Sequence, residues 1–169
     1  ISNRTVVPYV FPLAAFGLTI SSHYKLELGL VFSLILSILI GYGMNNGLEL
    51  TIYSIFTSMC GLLVLDKGRR VSSFFLAGLV IALSGSAVIL AYRLPEAITD
   101  WIGIATLCGA SFVNGLASAM ITLAFHFIFS QFFGITTAIQ LLELSRPDHP
   151  LLQFMLQNAP GSYQHSLQV

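Results

Sequence analysis

Trp101–Phe133, WIGIATLCGASFVNGLASAMITLAFHFIFSQFF, contains no Asp, Glu, Lys or Arg. A charge-free apolar run this long exceeds the roughly 20 residues that a helix needs to cross a bilayer. As one straight helix it measures about 50 Å at 1.5 Å per residue, against an apolar thickness of about 30 Å. Two readings remain. The run is one helix that tilts and projects past the membrane, or it breaks near Asn114-Gly115. Each half alone is short for a crossing, so one long helix is favoured.

The same absence of charge recurs upstream. No charged residue falls between Glu27 and Glu49, between Glu49 and Asp66, or between Arg70 and Arg93. Hydrophobic residues make up 56% of the chain and charged ones 8%, where an ordinary soluble domain carries roughly 25% charged residues. A soluble chain of 169 residues has no core large enough to bury all of these runs. The expected fold is therefore all-α: a polytopic helical membrane bundle followed by short cytoplasmic helices. The runs place five spans, at Val6–Ser22, Leu28–Met44, Leu48–Leu65, Ser72–Tyr92 and Trp101–Phe133. Short polar connections such as Asn45-Asn46-Gly47 and Arg93-Leu94-Pro95-Glu96 separate them. Pro8 and Pro12 fall in the first span, and Pro12 is expected to kink it or delay its start.

Lys67, Arg69 and Arg70 form the strongest basic cluster, which puts their loop in the cytoplasm. Two further crossings return the C-terminal tail to that side. Lys25 falls there too, whereas Arg4 and Arg93 lie outside as minority charges. No secretory leader pattern opens the chain, and its start at Ile1 reads as a cut. Net charge is zero with no basic stripe, which argues against a nucleic-acid polymer as partner. Cys60 and Cys108 both sit in apolar runs and are expected to be free thiols.

Small and polar residues recur at four-residue spacing. Gly29, Ser33, Ser37 and Gly41 do so in the second span, and Gly78, Ala82 and Ser86 in the fourth. Asn114, Ser118, Thr122, His126 and Ser130 form a polar stripe in the last. This spacing keeps side chains on one slowly rotating helix face, so the stripes should meet other helices rather than lipid. Packing is the favoured reading, and a substrate path is the second. His126 is ionisable within a span and so qualifies for a functional role. A structural imidazole bonded to a neighbouring serine or carbonyl is the simpler reading. No charged residue is expected to accompany it in the membrane, which counts against an ion-coupled transporter.

Beyond Gly134 the chain turns polar. Thr136 or Thr137 can cap a short helix running through Leu141-Leu142-Glu143-Leu144. Ser145-Arg146-Pro147-Asp148-His149-Pro150 breaks it. A second short helix carries Leu151, Leu152, Met155 and Leu156 on one face, and Asn158-Ala159-Pro160-Gly161 stops it. Ser162 then caps a helix bearing His165. Such helices are too short to persist alone and should dock on a further domain.

Four blocks in order carry a resemblance: Phe133-Gly134-Ile135-Thr136-Thr137, Leu141-Leu142-Glu143-Leu144-Ser145, Pro147-Asp148-His149-Pro150-Leu151-Leu152, and Ala159-Pro160-Gly161-Ser162-Tyr163-Gln164-His165-Ser166. Together they resemble the junction of the membrane-bound seven-transmembrane HD-domain phosphohydrolases. Pro8-Tyr9-Val10-Phe11-Pro12 and Val113-Asn114-Gly115-Leu116 resemble that family's membrane region more loosely. The resemblance implies a transmembrane region over residues 1–133, cytoplasmic linker helices over 134–158 and the beginning of an HD domain over 159–169. It implies that the parent protein sits in the bacterial cell membrane with its C-terminus cytoplasmic. There it would relay an external signal to a domain that hydrolyses a cyclic dinucleotide, cyclic di-AMP. It makes His165 the first ligand of a two-metal site for divalent ions, Mn or Fe, and admits a homodimer. One imidazole cannot build such a site, so the piece alone is expected to bind no metal and to be catalytically inert. The alternative is a small transporter or channel with Asn114–Ser130 lining its pathway.

Overall fold

In the computed structural model, residues 3–44, 47–66, 71–95 and 100–133 are described. They form six α-helices: α1 (Asn3–Val10), α2 (Ala14–His23), α3 (Leu26–Tyr42), α4 (Gly47–Asp66), α5 (Val71–Arg93) and α6 (Trp101–Phe133). Among the described residues there is no strand. The all-α expectation holds. The tail expected to carry the linker helices and His165 lies outside the described residues.

Local chemistry sets the start of α6 and the break between α1 and α2. Asp100 caps α6, its carboxylate accepting from the Gly103 amide at 3.0 Å, which satisfies an orphan donor and complements the helix dipole. α6 then runs unbroken through Asn114-Gly115 to Phe133, so the single-helix reading is the correct one. The first expected span divides instead. Pro12 has no amide to donate, and the Leu13 amide turns back to the Phe11 carbonyl at 2.8 Å. α1 therefore ends at Val10, and α2 starts afresh at Ala14.

Four stretches are long and apolar enough to cross a membrane: Val6–His23 (taken across the break), Gly47–Leu65, Val71–Arg93 and Trp101–Phe132. The fifth expected span, α3, is shorter, at 17 residues. The outward faces are greasy. Leu39, Leu79, Ile102 and Leu116 are all more than half exposed, an arrangement unfavourable in water and natural against lipid. Trp101, Tyr42 and Tyr24, at helix ends, are 67%, 95% and 71% exposed, as suits aromatics at the membrane–water boundary. This is a multi-pass membrane protein.

By its contacts the chain divides into two units, Ile1–His126 and Phe127–Val169. In the first, two apolar clusters hold the helices together. One gathers Tyr9, Leu50, Tyr53, Ile89 and Leu107 from α1, α4, α5 and α6. The other gathers Leu18, Leu62, Phe74 and Ile81 from α2, α4 and α5, with Leu26 and Leu30 of α3 packed against them. The described part of the second unit is the end of α6, where Ser130 is buried.

Small residues set the helix spacing. The buried residues of α3 are Gly29, Ser33, Ser37 and Gly41, the stripe that the four-residue spacing predicts. A Cβ on Gly29 would stand 2.8 Å from the Gly17 carbonyl oxygen of α2, and one on Gly78 of α5 would stand 2.6 Å from the Gly115 carbonyl oxygen of α6. At both crossings backbone meets backbone, so only hydrogen fits. In α5 the stripe is slightly misplaced: Gly78 and Ala82 are buried, but Gly85 takes the inward position and Ser86 is only half-buried.

Candidate functional site

The break between α1 and α2 strands a backbone group. In a continuous helix the Tyr9 carbonyl would accept from the Leu13 amide, but that amide is engaged at Phe11. At membrane depth an unbonded carbonyl costs several kcal/mol, so neighbouring helices must supply donors. Asn114 of α6 does so. Its Nδ2 lies 3.0 Å from the Tyr9 carbonyl oxygen and 3.2 Å from the Tyr53 hydroxyl, one N–H for each. A carbonyl oxygen only accepts, which fixes the orientation of the amide. Ser118, one turn further on, donates to Asn114 Oδ1 at 3.1 Å.

Tyr53 of α4 is 1% exposed and connects three helices at this point. Its hydroxyl stands 3.1 Å from the Tyr9 carbonyl and 3.1 Å from Ser111 Oγ; its single proton serves one of them at a time while the oxygen accepts from Asn114. Ser111 donates to the Ala82 carbonyl of α5 at 3.2 Å. The Tyr9 and Tyr53 rings meet edge to face, centroids 5.1 Å apart, a favourable arrangement of aromatic quadrupoles.

The network ends in charge. The Tyr9 hydroxyl donates to Glu49 Oε1 at 2.6 Å, and Arg93 Nη2 lies 3.0 Å from Glu49 Oε2. Glu49, in the first turn of α4, has an 11% exposed side chain; Arg93, in the last turn of α5, is 26% exposed. This corrects one sequence expectation: a carboxylate is buried among the spans, with Arg93 as its counter-charge. Without that partner, burial of Glu49 would be strongly unfavourable. Tyr9, Tyr53, Glu49 and Arg93 carried no site role in the sequence reading. Pro12 was the available signal, because a broken helix implies a stranded carbonyl and therefore a donor across from it.

The expected polar stripe is largely inward-facing. Asn114, Ser118, Thr122 and Ser130 are buried, and His126 is half-buried. Thr122 donates to the Ser118 carbonyl at 2.7 Å, with the Ala15 carbonyl of α2 at 3.5 Å. From Asn114 to Thr122 these side chains are occupied with protein partners, and no observation favours a transport pathway along them. His126 departs from expectation: its Nδ1 is buried and meets no hydrogen-bond partner. Its ring packs against His23 at 5.2 Å and Phe74 at 5.4 Å between centroids. His23 ends α2, and its Nδ1 lies 2.9 Å from both the Thr19 carbonyl and Ser22 Oγ.

Among the described residues, no group of three or more His, Cys, Asp or Glu side chains could hold a metal ion. Cys60 and Cys108 are free thiols. The site of the described bundle is a hydrogen-bond network joining α1, α4, α5 and α6.

Comparison with known proteins supplies the context. The model of the family described as "7TM receptor with intracellular HD hydrolase" matches residues 1–137. The cyclic-di-AMP phosphodiesterase PgpH of Bacillus subtilis (strain 168) is 31% identical over 170 residues, covering 96% of this chain and 24% of that protein. The cyclic-di-AMP phosphodiesterase PgpH of Listeria monocytogenes serotype 1/2a (strain 10403S) is 30% identical over 122 residues, 71% of this chain and 17% of that one. The chain thus spans about a quarter of the length of the first of these relatives and less of the second. No solved structure matches it.

Proposed function

This chain belongs to the family of 7TM receptors with an intracellular HD hydrolase, and from that premise we propose that it is the transmembrane and linker part of a bacterial membrane-bound cyclic-dinucleotide phosphodiesterase. Its substrate class is a cyclic dinucleotide, and cyclic di-AMP is the one named for both relatives. The family implies a divalent metal in the intact protein, and our reading is Mn or Fe, with His165 as the first ligand. Residues 1–133 form the membrane region, 134–158 the linker helices, and 159–169 the start of the hydrolase domain. The tail lies in the cytoplasm, a placement supported by Lys67, Arg69 and Arg70 on the same side.

The bundle's part is to relay the state of an outer signal to the inner domain. One observation carries this reading. Asn114, buried in an unbroken α6, holds the broken first span by its stranded carbonyl, and the same helix leads on to Phe133, where the linker begins. A displacement of α1 therefore changes what α6 is bonded to. The test is cyclic di-AMP hydrolysis by the full-length protein with and without its regulatory stimulus. Asn114→Leu and His126→Leu are each expected to alter the response, and unchanged regulation in both would remove the relay. A reporter at Val169 checks the sidedness independently: an outer-face signal would overturn the whole reading.

A further inference from the structure

The break in the first span differs from an ordinary proline kink in one respect. The donor that would restore the helix is present but turned away. Leu13 has its own amide, and it closes on Phe11 at 2.8 Å instead of on Tyr9. The Tyr9 carbonyl meanwhile takes protons from outside its helix, from Asn114 at 3.0 Å and Tyr53 at 3.1 Å. Two sets of donors thus compete for one acceptor, and either set satisfies it, so neither arrangement leaves the carbonyl bare in the membrane. Space is also available. Val6, Val7, Val10, Phe11 and Pro12 line a shallow depression beside the break that opens to the surface, whereas a segment close-packed on every side could not move without displacing its neighbours.

We propose that Phe11–Leu13 is a two-position latch: the Tyr9 carbonyl is held by Asn114 and Tyr53 in one position and by the Leu13 amide in the other. In the second position α1 and α2 join into a straighter helix, and α6 loses its Asn114 bond to α1. Asn114 keeps a role in both, because Ser118 holds its Oδ1 and Tyr53 still accepts from its second N–H. The latch is the input of the relay described above and rests on that reading for its biological meaning, although its two positions do not.

The experiment measures the distance across the break. Spin labels are placed by V7C and Y24C, positions 62% and 71% exposed, in the full-length protein in nanodiscs, with C60A, C108A and all other cysteines removed. Across 17 residues a continuous helix separates the two backbones by about 25 Å, and a kinked one by less. N114L, which removes the side-chain donor, should raise the ratio of long to short distances about tenfold, the effect of one lost hydrogen bond. Y53F should shift it in the same direction by less. P12A gives residue 12 an amide, does not touch α6, and should also lengthen the distance, which keeps the test informative if N114L fails to fold. An unchanged distribution in both P12A and whichever of the other variants folds overturns the latch. Cyclic di-AMP hydrolysis in the same samples separates the two ideas: a distance shift with unaltered hydrolysis keeps the latch and removes the relay.

Discussion

α3 and α6 carry the same pattern, small or polar residues every fourth position, and use it in opposite ways. In α3 the stripe is Gly29, Ser33, Ser37 and Gly41, all buried, and the Ser37 hydroxyl donates to the Ser33 carbonyl of its own helix at 2.7 Å. Those residues let another backbone approach. In α6, Asn114 bonds to α1 and α4, and Ser111, in the preceding turn, bonds to α5. These residues fasten helices to one another. Spacing determines which face is buried, while the reach of the side chain and the presence of an unfilled partner determine whether that face only packs or also binds.

The sharpest way to break this distinction is at the glycines, where the two helices should behave alike. A Cβ on Gly29 would stand 2.8 Å from the Gly17 carbonyl oxygen, and one on Gly115 would stand 3.0 Å from the Ala82 nitrogen. Gly29→Leu and Gly115→Leu should each destabilise by about 3 kcal/mol or more through overpacking, read as loss of a monodisperse folded species in detergent. Below them comes Asn114→Leu. It removes one of the two donors to the Tyr9 carbonyl and the acceptor of the Ser118 hydroxyl, at about 2 kcal/mol, measurable by unfolding in mixed micelles. Smallest is the serine pair. Ser111→Ala should cost about 1 kcal/mol because an interhelical bond is lost. Ser37→Ala should be close to neutral, since a serine bonding back to its own helix contributes little. Equal effects at Ser37 and Ser111 would erase the difference between the two stripes.

These residues also mark where the sequence could be read and where it could not. The stripes of α3 and α6 were legible because helical period alone decides what shares a face. The break at Pro12 was legible because a missing amide acts locally. The Glu49–Arg93 pair was not. Its members are 44 residues apart, each at the margin of an apolar run, where a charge looks like the end of a span. Pairing across that distance depends on which helix ends are neighbours, and periodicity carries no such information. His126 was legible as an imidazole within a span, but its packing on His23 and Phe74 was hidden for the same reason. The tail motifs resemble the HD junction through residue types in order, and the family match over 1–137 supports that origin from the opposite end of the chain.

The shortness of α3 has a consequence outside the protein. Its 17 residues rise about 26 Å, a few ångströms less than the usual hydrocarbon thickness. Acyl chains along that flank must compress to keep its ends at the water boundary, at a modest cost for each ångström. Lipids with shorter tails are therefore expected to gather along α3.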